Sequence, residues 1–205
     1  FALNYRLAPR YEFPSAAEDT VNAYRWLLAC GYPAENVVIA GDSAGGHLGI
    51  GLALALRELR LPPPAGLVMF SPLTDPSLLI GALRDAQRHD PLFTARTARR
   101  MLALYGRHGS PDDPRLAVLR GDCHGLPPML VQAGGAEMLS ADAEAFAERV
   151  NAAGGRCELQ VWPEQIHVFQ MLYRWLPEAR AALAEAASFI TDVTAHAQRP
   201  DLAAC

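Results

Sequence analysis

Apolar residues along this chain fall into two rhythms: short unbroken runs, and longer stretches in which they recur every three or four positions. Residues 37–40 (VVIA), 67–70 (LVMF) and 129–132 (MLVQ) are short and carry no charge. Runs of this kind suit strands of a parallel sheet covered on both faces. Residues 157–162 alternate like a strand, and residues 1–5 (FALNY) open the chain as a fifth. Helical spacing fills the intervals. Val21, Tyr24 and Leu28 follow Ser15-Ala16-Ala17-Glu18, which reads as a capping box, and Gly31 stands where a C′ residue would close that helix. Residues 48–56 are rich in Leu, Ala and Gly and too long for a strand. Residues 96–105 look helical. Leu139, Ala143, Phe146 and Val150 form a stripe, with Ser140 as a cap, Asp142 and Glu144 matching the helix dipole, and Gly154-Gly155 as the stop. Pro177 starts a last amphipathic helix through Leu183, Ile190 and Val193.

The order is β-α-β-α-β, an insertion, then β-α-β-α. It predicts an α/β fold: a doubly wound, mostly parallel sheet flanked by helices. The insertion spans about residues 73–128 and is rich in Asp, Pro and Gly outside its one helix. A segment this long inside an α/β domain usually covers something or is disordered. Residues 1–195 read as one domain and 196–205 as a tail.

Composition narrows the function classes. The chain has 205 residues, half of them apolar, and a net charge of −4, which gives no sign of a nucleic-acid or anionic-membrane partner. All eighteen basic residues are Arg, and they form no cluster. Cys30, Cys123, Cys157 and Cys205 are isolated, without metal-ligand spacing, as expected of thiols in a reducing, cytoplasmic setting. No apolar run approaches the length of a membrane span.

The chemistry is concentrated in Gly41-Asp42-Ser43-Ala44-Gly45-Gly46, between a strand and a helix. This is a G-x-S-x-G nucleophile elbow, in which small residues let the chain turn sharply and present the serine to the helix N-terminus. In open α/β sheets ligands gather at the C-terminal ends of strands. Ser43, Glu137 and His167 follow the second, fourth and fifth expected strands, in the order nucleophile, acid, base. A serine needs a base to take its proton, and a carboxylate holds the imidazole in the right tautomer. His47 lies in the elbow helix, His89, His108 and His124 in the insertion, and His196 in the tail; only His167 follows a strand at the right place. Glu137 is favoured over Asp142, which a helix N-terminus explains, and over Asp75, which comes too early.

Further stretches complete a pattern: Tyr5-Arg6-Leu7-Ala8-Pro9 with Phe13-Pro14, Ser71-Pro72 with Asp75, Gly125-Leu126-Pro127-Pro128, Glu137-Met138-Leu139 before Asp142, and His167-Val168-Phe169. With the GDSAGG elbow, they make the chain resemble the hormone-sensitive-lipase-like branch of the α/β-hydrolases, the bacterial family IV esterases. The resemblance runs along essentially the whole chain. It implies Ser43 as nucleophile, His167 as base, Glu137 as acid and the Ala44 amide as an oxyanion donor. Asp42, Val168 and Phe169 would lie against the substrate. The implied reaction is hydrolysis of small carboxylic esters with short acyl groups, without cofactor or metal; a dimer is compatible with it. Many relatives carry Asp-Pro-Leu where this chain has Glu137-Met138-Leu139. An amidase or peptidase is a weaker alternative, because the insertion shows no peptide-sized entrance. A binding protein is another, since plant gibberellin receptors resemble the same family but lack the histidine that His167 supplies here.

The family also carries a His-Gly-Gly-Gly loop upstream of the Tyr-Arg-Leu-Ala-Pro stretch, whose amides form most of the oxyanion hole. This sequence has no such motif and opens without Met. The expectation is a piece of a longer protein, with the first strands and an N-terminal cap upstream and an apolar sheet edge left open. Loss of one oxyanion donor costs roughly a hundred- to a thousandfold in rate. The 205-residue chain alone should therefore release p-nitrophenol from short-chain esters at least about a hundredfold more slowly than an intact relative. Equal turnover in that assay overturns the expectation.

Overall fold

The computed structural model describes residues 1–110 and 113–195. Strands β1 (Val38–Asp42), β2 (Gly66–Phe70), β3 (Met129–Gly134) and β4 (Cys157–Trp162) form one fully parallel sheet in the order β1-β2-β3-β4. Parallel neighbours need long crossovers. Helix α2 (Ala44–Glu58) links β1 to β2, and α5 (Leu139–Ala152) links β3 to β4. Between β2 and β3 the insertion holds α3 (Leu79–Gln87) and α4 (Ala95–Tyr105); α1 (Ser15–Ala29) precedes the sheet and α6 (Pro177–Thr194) follows it.

The apolar runs are continuous because both faces of the central strands are covered. Leu67, Met69, Met129 and Val131 point to one face and pack with Ile50 of α2 and Phe146 and Val150 of α5. Val68 and Leu130, one position out of phase, meet Ala186 and Phe189 of α6. Period-two alternation therefore splits each run between two layers of helix. Register aligns Asp42 with Phe70 and Gly134 with Trp162. The segments that leave these strand ends carry the candidate chemistry.

Several local expectations change. Residues 1–5 form no strand: β1 is an edge of the sheet, and the opening segment exchanges no ladder hydrogen bonds with it. That segment is held by side chains instead. The Arg6 guanidinium lies 2.8 Å from the Asp19 carboxylate, and the Phe1 ring stacks on Trp26 at 5.3 Å. The Ser15 capping box does not form, since the helix already starts at Ser15, behind Pro14, with no side-chain cap. Gly31 does close α1, at φ +86°. Ser140 is inside α5 rather than at its cap, and its hydroxyl donates to the Glu137 carbonyl at 2.9 Å. The insertion has a second helix, α3, that the pattern did not reveal. His196, Cys205 and the rest of the predicted tail lie outside the described residues. Among the described residues no helix is long and apolar enough to cross a membrane, and no cluster of His, Cys, Asp and Glu could hold a metal ion.

Asp142, expected as a charge matching the helix dipole, has an unusual environment. It is fully buried, and among the described residues neither carboxylate oxygen makes a well-formed hydrogen bond, the nearby Gly81 amide offsetting the burial only in small part. Burial, reinforced by the charge of Asp75, pushes its pKa up to about 7. An unfolded Asp titrates near 3.9. Between those values the folded chain holds a proton that the unfolded chain releases, so this group's contribution to stability declines as pH rises from about 4 to about 7. Asp142→Asn should remove that decline, worth up to about 4 kcal/mol. Urea melts at pH 4.5 and 7.5 measure it: the variant should gain on the parent at the higher pH, and an unchanged difference refutes the assignment.

Candidate active site

Ser43 sits between the last residue of β1 and the first of α2, at φ 51° and ψ −113°. A non-glycine residue in that region is strained, and the surrounding packing must hold it there. Its amide donates to the Phe70 carbonyl at 2.9 Å, while its carbonyl accepts from His47 N at 3.1 Å and Leu73 N at 3.2 Å. Gly41 is what lets the turn close so tightly. A Cβ there would lie 2.5 Å from the Gly45 carbonyl, so the first turn of α2 packs directly on the strand end. The first amides of α2 have no acceptor within the helix, and Ala44 lines a cavity of about 570 Å³ together with Ser43 and His167.

Glu137 lies in the turn after β3, with 1% of its surface exposed. Its Oε1 accepts from the Gly134 amide at 2.7 Å, and its Oε2 accepts from His167 Nδ1 at 2.5 Å. A carboxylate only accepts, so Nδ1 carries the hydrogen and the lone pair of the neutral ring is on Nε2. The Phe93 ring, contributed by the insertion, stands edge-on to His167 at 5.0 Å. Among the described residues no hydrogen bond joins Ser43 Oγ to the His167 ring; the two groups share the cavity wall.

The other candidate residues are placed elsewhere. Val168 and Phe169 are buried but do not line the cavity. Phe169 lies in a short turn that sends its ring against Ala179, Ala182 and Trp162, beneath α6 and away from the cavity. Asp42 is exposed at the end of edge strand β1, also outside the cavity wall. Of the competing histidines among the described residues, only His47 reaches the cavity, and it is 2% exposed.

Two side chains to which the sequence assigned no role hold the loops that carry His167 and Glu137. Ser71 ends β2 at φ 47°, fully buried, and its Oγ accepts from Val168 N at 3.0 Å. Val168, the residue after His167, is itself strained at φ 50°. Asp90 of the insertion accepts from Met138 N at 2.9 Å, beside Glu137. A lone Ser or Asp in a polar stretch carries no sequence signal of such a partner.

Known proteins share this fold. A profile described as alpha/beta hydrolase fold matches residues 1–171. The chain belongs to the α/β-hydrolase family. Among solved structures, an esterase from the bacterial hormone-sensitive lipase family superimposes with a TM-score of 0.89 at 40% identity, covering 93% of this chain and 64% of that one. An acetyl-hydrolase of Streptomyces hygroscopicus is 37% identical over 193 residues, 94% of this chain and 64% of its own length. An esterase of Acinetobacter venetianus is 34% identical over 192 residues, 93% of this chain and 63% of its own. This α/β-hydrolase chain thus spans a little under two thirds of these relatives, and the resemblance to hormone-sensitive-lipase-like esterases is borne out.

Within this family frame, the Ser71 hydroxyl ties the β2 end to the residue after His167. Ser71→Ala should leave the buried Val168 amide without an acceptor and lower stability by about 1–3 kcal/mol in urea unfolding. A loss below about 0.5 kcal/mol would mean that the bond does not hold this loop.

Proposed function

We propose that this chain carries the catalytic centre of a serine carboxylic ester hydrolase working through an acyl-enzyme. The observation that carries this reading is the buried Glu137–His167 hydrogen bond of 2.5 Å on the wall of the cavity that Ser43 also lines. Names borne by relatives, esterase and acetyl-hydrolase, support the same class.

In this mechanism Ser43 Oγ attacks the ester carbonyl while His167 Nε2 takes the hydroxyl proton. The resulting imidazolium stays paired with Glu137, which keeps Nδ1 as a donor throughout. The negative charge forming on the carbonyl oxygen falls near the N-terminus of α2, where the Ala44 amide is a donor. Collapse expels the alcohol, which takes the proton from His167 and leaves the acyl group on Ser43. A water then repeats the cycle: His167 deprotonates it, it attacks the acyl-enzyme, and Ser43 leaves with the proton as the acid is released. The Ser43–His167 hydrogen bond closes as substrate enters, since catalytic hydrogen bonds are often long without substrate. The cavity of about 570 Å³, walled by Leu48, Leu73, Phe93 and Leu102, suits small, largely apolar esters. His167 with its paired acid argues for turnover rather than binding alone.

The test is release of p-nitrophenol from p-nitrophenyl butyrate by the full-length gene product. Ser43→Ala should lower kcat at least about a thousandfold, because the residues of such a triad act as a unit. Equal rates from parent and variant would sink the proposal.

A further inference from the structure

Asp90 lies between α3 and α4, buried to 6% exposure, and three backbone amides converge on its carboxylate. Oδ1 accepts from Leu92 N at 2.8 Å and Phe93 N at 3.3 Å, and Oδ2 accepts from Met138 N at 2.9 Å. The first two bonds shape a local turn, whereas the third crosses from the insertion to the turn that carries Glu137. A carboxylate taken out of water needs hydrogen bonds in its place, and the three amides supply them. Asp90 is itself held by Asp85 of α3. Asp85 Oδ1 accepts from Asp90 N at 3.2 Å, while its Oδ2 accepts at 2.9 Å from Ala95 N, the first residue of α4. Both helices of the insertion therefore set where Asp90 stands.

The Met138 amide belongs to the peptide unit that follows Glu137. The carbonyl of that unit accepts from Ser140 Oγ at 2.9 Å, so its plane is held at both ends. A rotation of this plane would swing the Glu137 carboxylate off the Gly134 amide and His167 Nδ1, and hydrogen bonds weaken steeply with misalignment. Met138 stands at φ −71°, the value a proline ring would impose, but has no ring to impose it. On the other side, Phe93 shares Asp90 Oδ1 through its amide and lays its ring edge-on to His167 at 5.0 Å. One carboxylate thus bonds the backbone beside Glu137 and the backbone of the residue packed on His167.

We propose that Asp90 is a positioning residue for the Glu137–His167 pair. Through the Met138 amide it fixes the Glu137 peptide, and with it the aim of Glu137 on Nδ1, in register with Phe93. Asp90 touches neither substrate nor reacting atoms. The proposal rests on the esterase reading above and deepens it. Its effect falls on kcat, because a misplacement of about 1 Å in such a group can cost about a hundredfold in rate.

The experiment uses Asp90→Asn in the full-length gene product. Asn keeps a carbonyl oxygen for Leu92 and Phe93 and turns an NH2 group against the Met138 amide, so the tie to Glu137 alone is broken. Hydrolysis of p-nitrophenyl butyrate is measured per active site, the sites being counted by the p-nitrophenol released when diethyl p-nitrophenyl phosphate phosphorylates Ser43. The kcat should fall at least about tenfold, with KM within about twofold of the parent. In a Met138→Pro background, where the ring fixes φ and no amide is offered, Asp90→Asn should cost less than about threefold. A merely structural Asp90 would cost the same in both backgrounds. Tyr24→Phe removes a hydrogen bond to the Pro62 carbonyl outside the cavity wall, and should leave kcat unchanged as the control for lost stability. An unchanged kcat in Asp90→Asn, or an equal loss in both backgrounds, overturns the proposal. If Asp90→Asn does not fold, Asp90→Ser is read by the same criteria; it keeps a short acceptor for Leu92 without the reach to Met138. If the parent does not hydrolyse the ester, the esterase reading has failed separately. The downfield proton resonance of His167 Nδ1 then decides: its shift or loss in Asp90→Asn is expected, and an unchanged resonance overturns the positioning role.

Discussion

The site depends on how closely one helix can approach the end of one strand. With no Cβ at Gly41, the first turn of α2 sits on the tip of β1, and any side chain there would enter the Gly45 carbonyl. The same approach forces Ser43 into a conformation that its own backbone disfavours. Hydrogen bonds to Phe70, His47 and Leu73 offset the strain and lock the elbow to the end of β2. Ser43, the free amides at the start of α2 and the loop after β2 are thus fixed by one constraint.

His167 and Glu137 are held by a second set of contacts that joins the remaining strand ends. Glu137 is oriented by the Gly134 amide, and Gly134 can take no Cβ because the Gln165 and Ile166 carbonyls of the histidine loop press against it. That loop is tied in turn to β2 through Val168 and Ser71. β2, β3 and β4 are therefore bound to one another beyond their ladders, at the end where the imidazole must hold its position. Ser43, Ser71 and Val168 all have positive φ. Strain concentrated at the functional end of the sheet is a common feature of such sites.

What the sequence disclosed follows from which interactions are local. The apolar runs of β2 and β3, the elbow and the order of Ser43, Glu137 and His167 were legible, because burial on both faces and a tight turn constrain residue type at each position. Residues 38–40 do enter a strand, but as the sheet edge β1 is only partly buried rather than covered on both faces. Residues 1–5 looked like a strand, but a strand exists only with a neighbour, and composition does not reveal the neighbour. Ser15 and Ser140 looked like caps, yet each helix begins a residue or more before the position such a cap requires. Phe169 looked like a substrate contact from its place beside His167; the turn it occupies directs it under α6 instead. Asp142 looked only like a charge at a helix N-terminus; its burial depends on α3, packed against it through Gly81, and α3 left no trace in the periodicity.

The insertion does more than cover the cavity. Leu78, Ala95 and Ala98 pack on Met138 and Leu139, the two residues that follow the acid. Asp90 accepts from the Met138 amide, Thr74 donates to the Asp142 carbonyl at 3.1 Å, and Phe93 rests against His167. Met101 and Leu104 of α4 line the same cavity and remain exposed, which places them at its mouth. The segment that shapes the entrance is thus packed through buried contacts on the groups that orient the base. If the proposed ester hydrolysis holds, a change in the insertion that admits a larger substrate has to preserve Asp90, Phe93 and the apolar contacts around Met138. Positions on the outer, exposed side of α4 are free of that requirement, so variation in specificity can accumulate there at little cost to the geometry of Glu137 and His167.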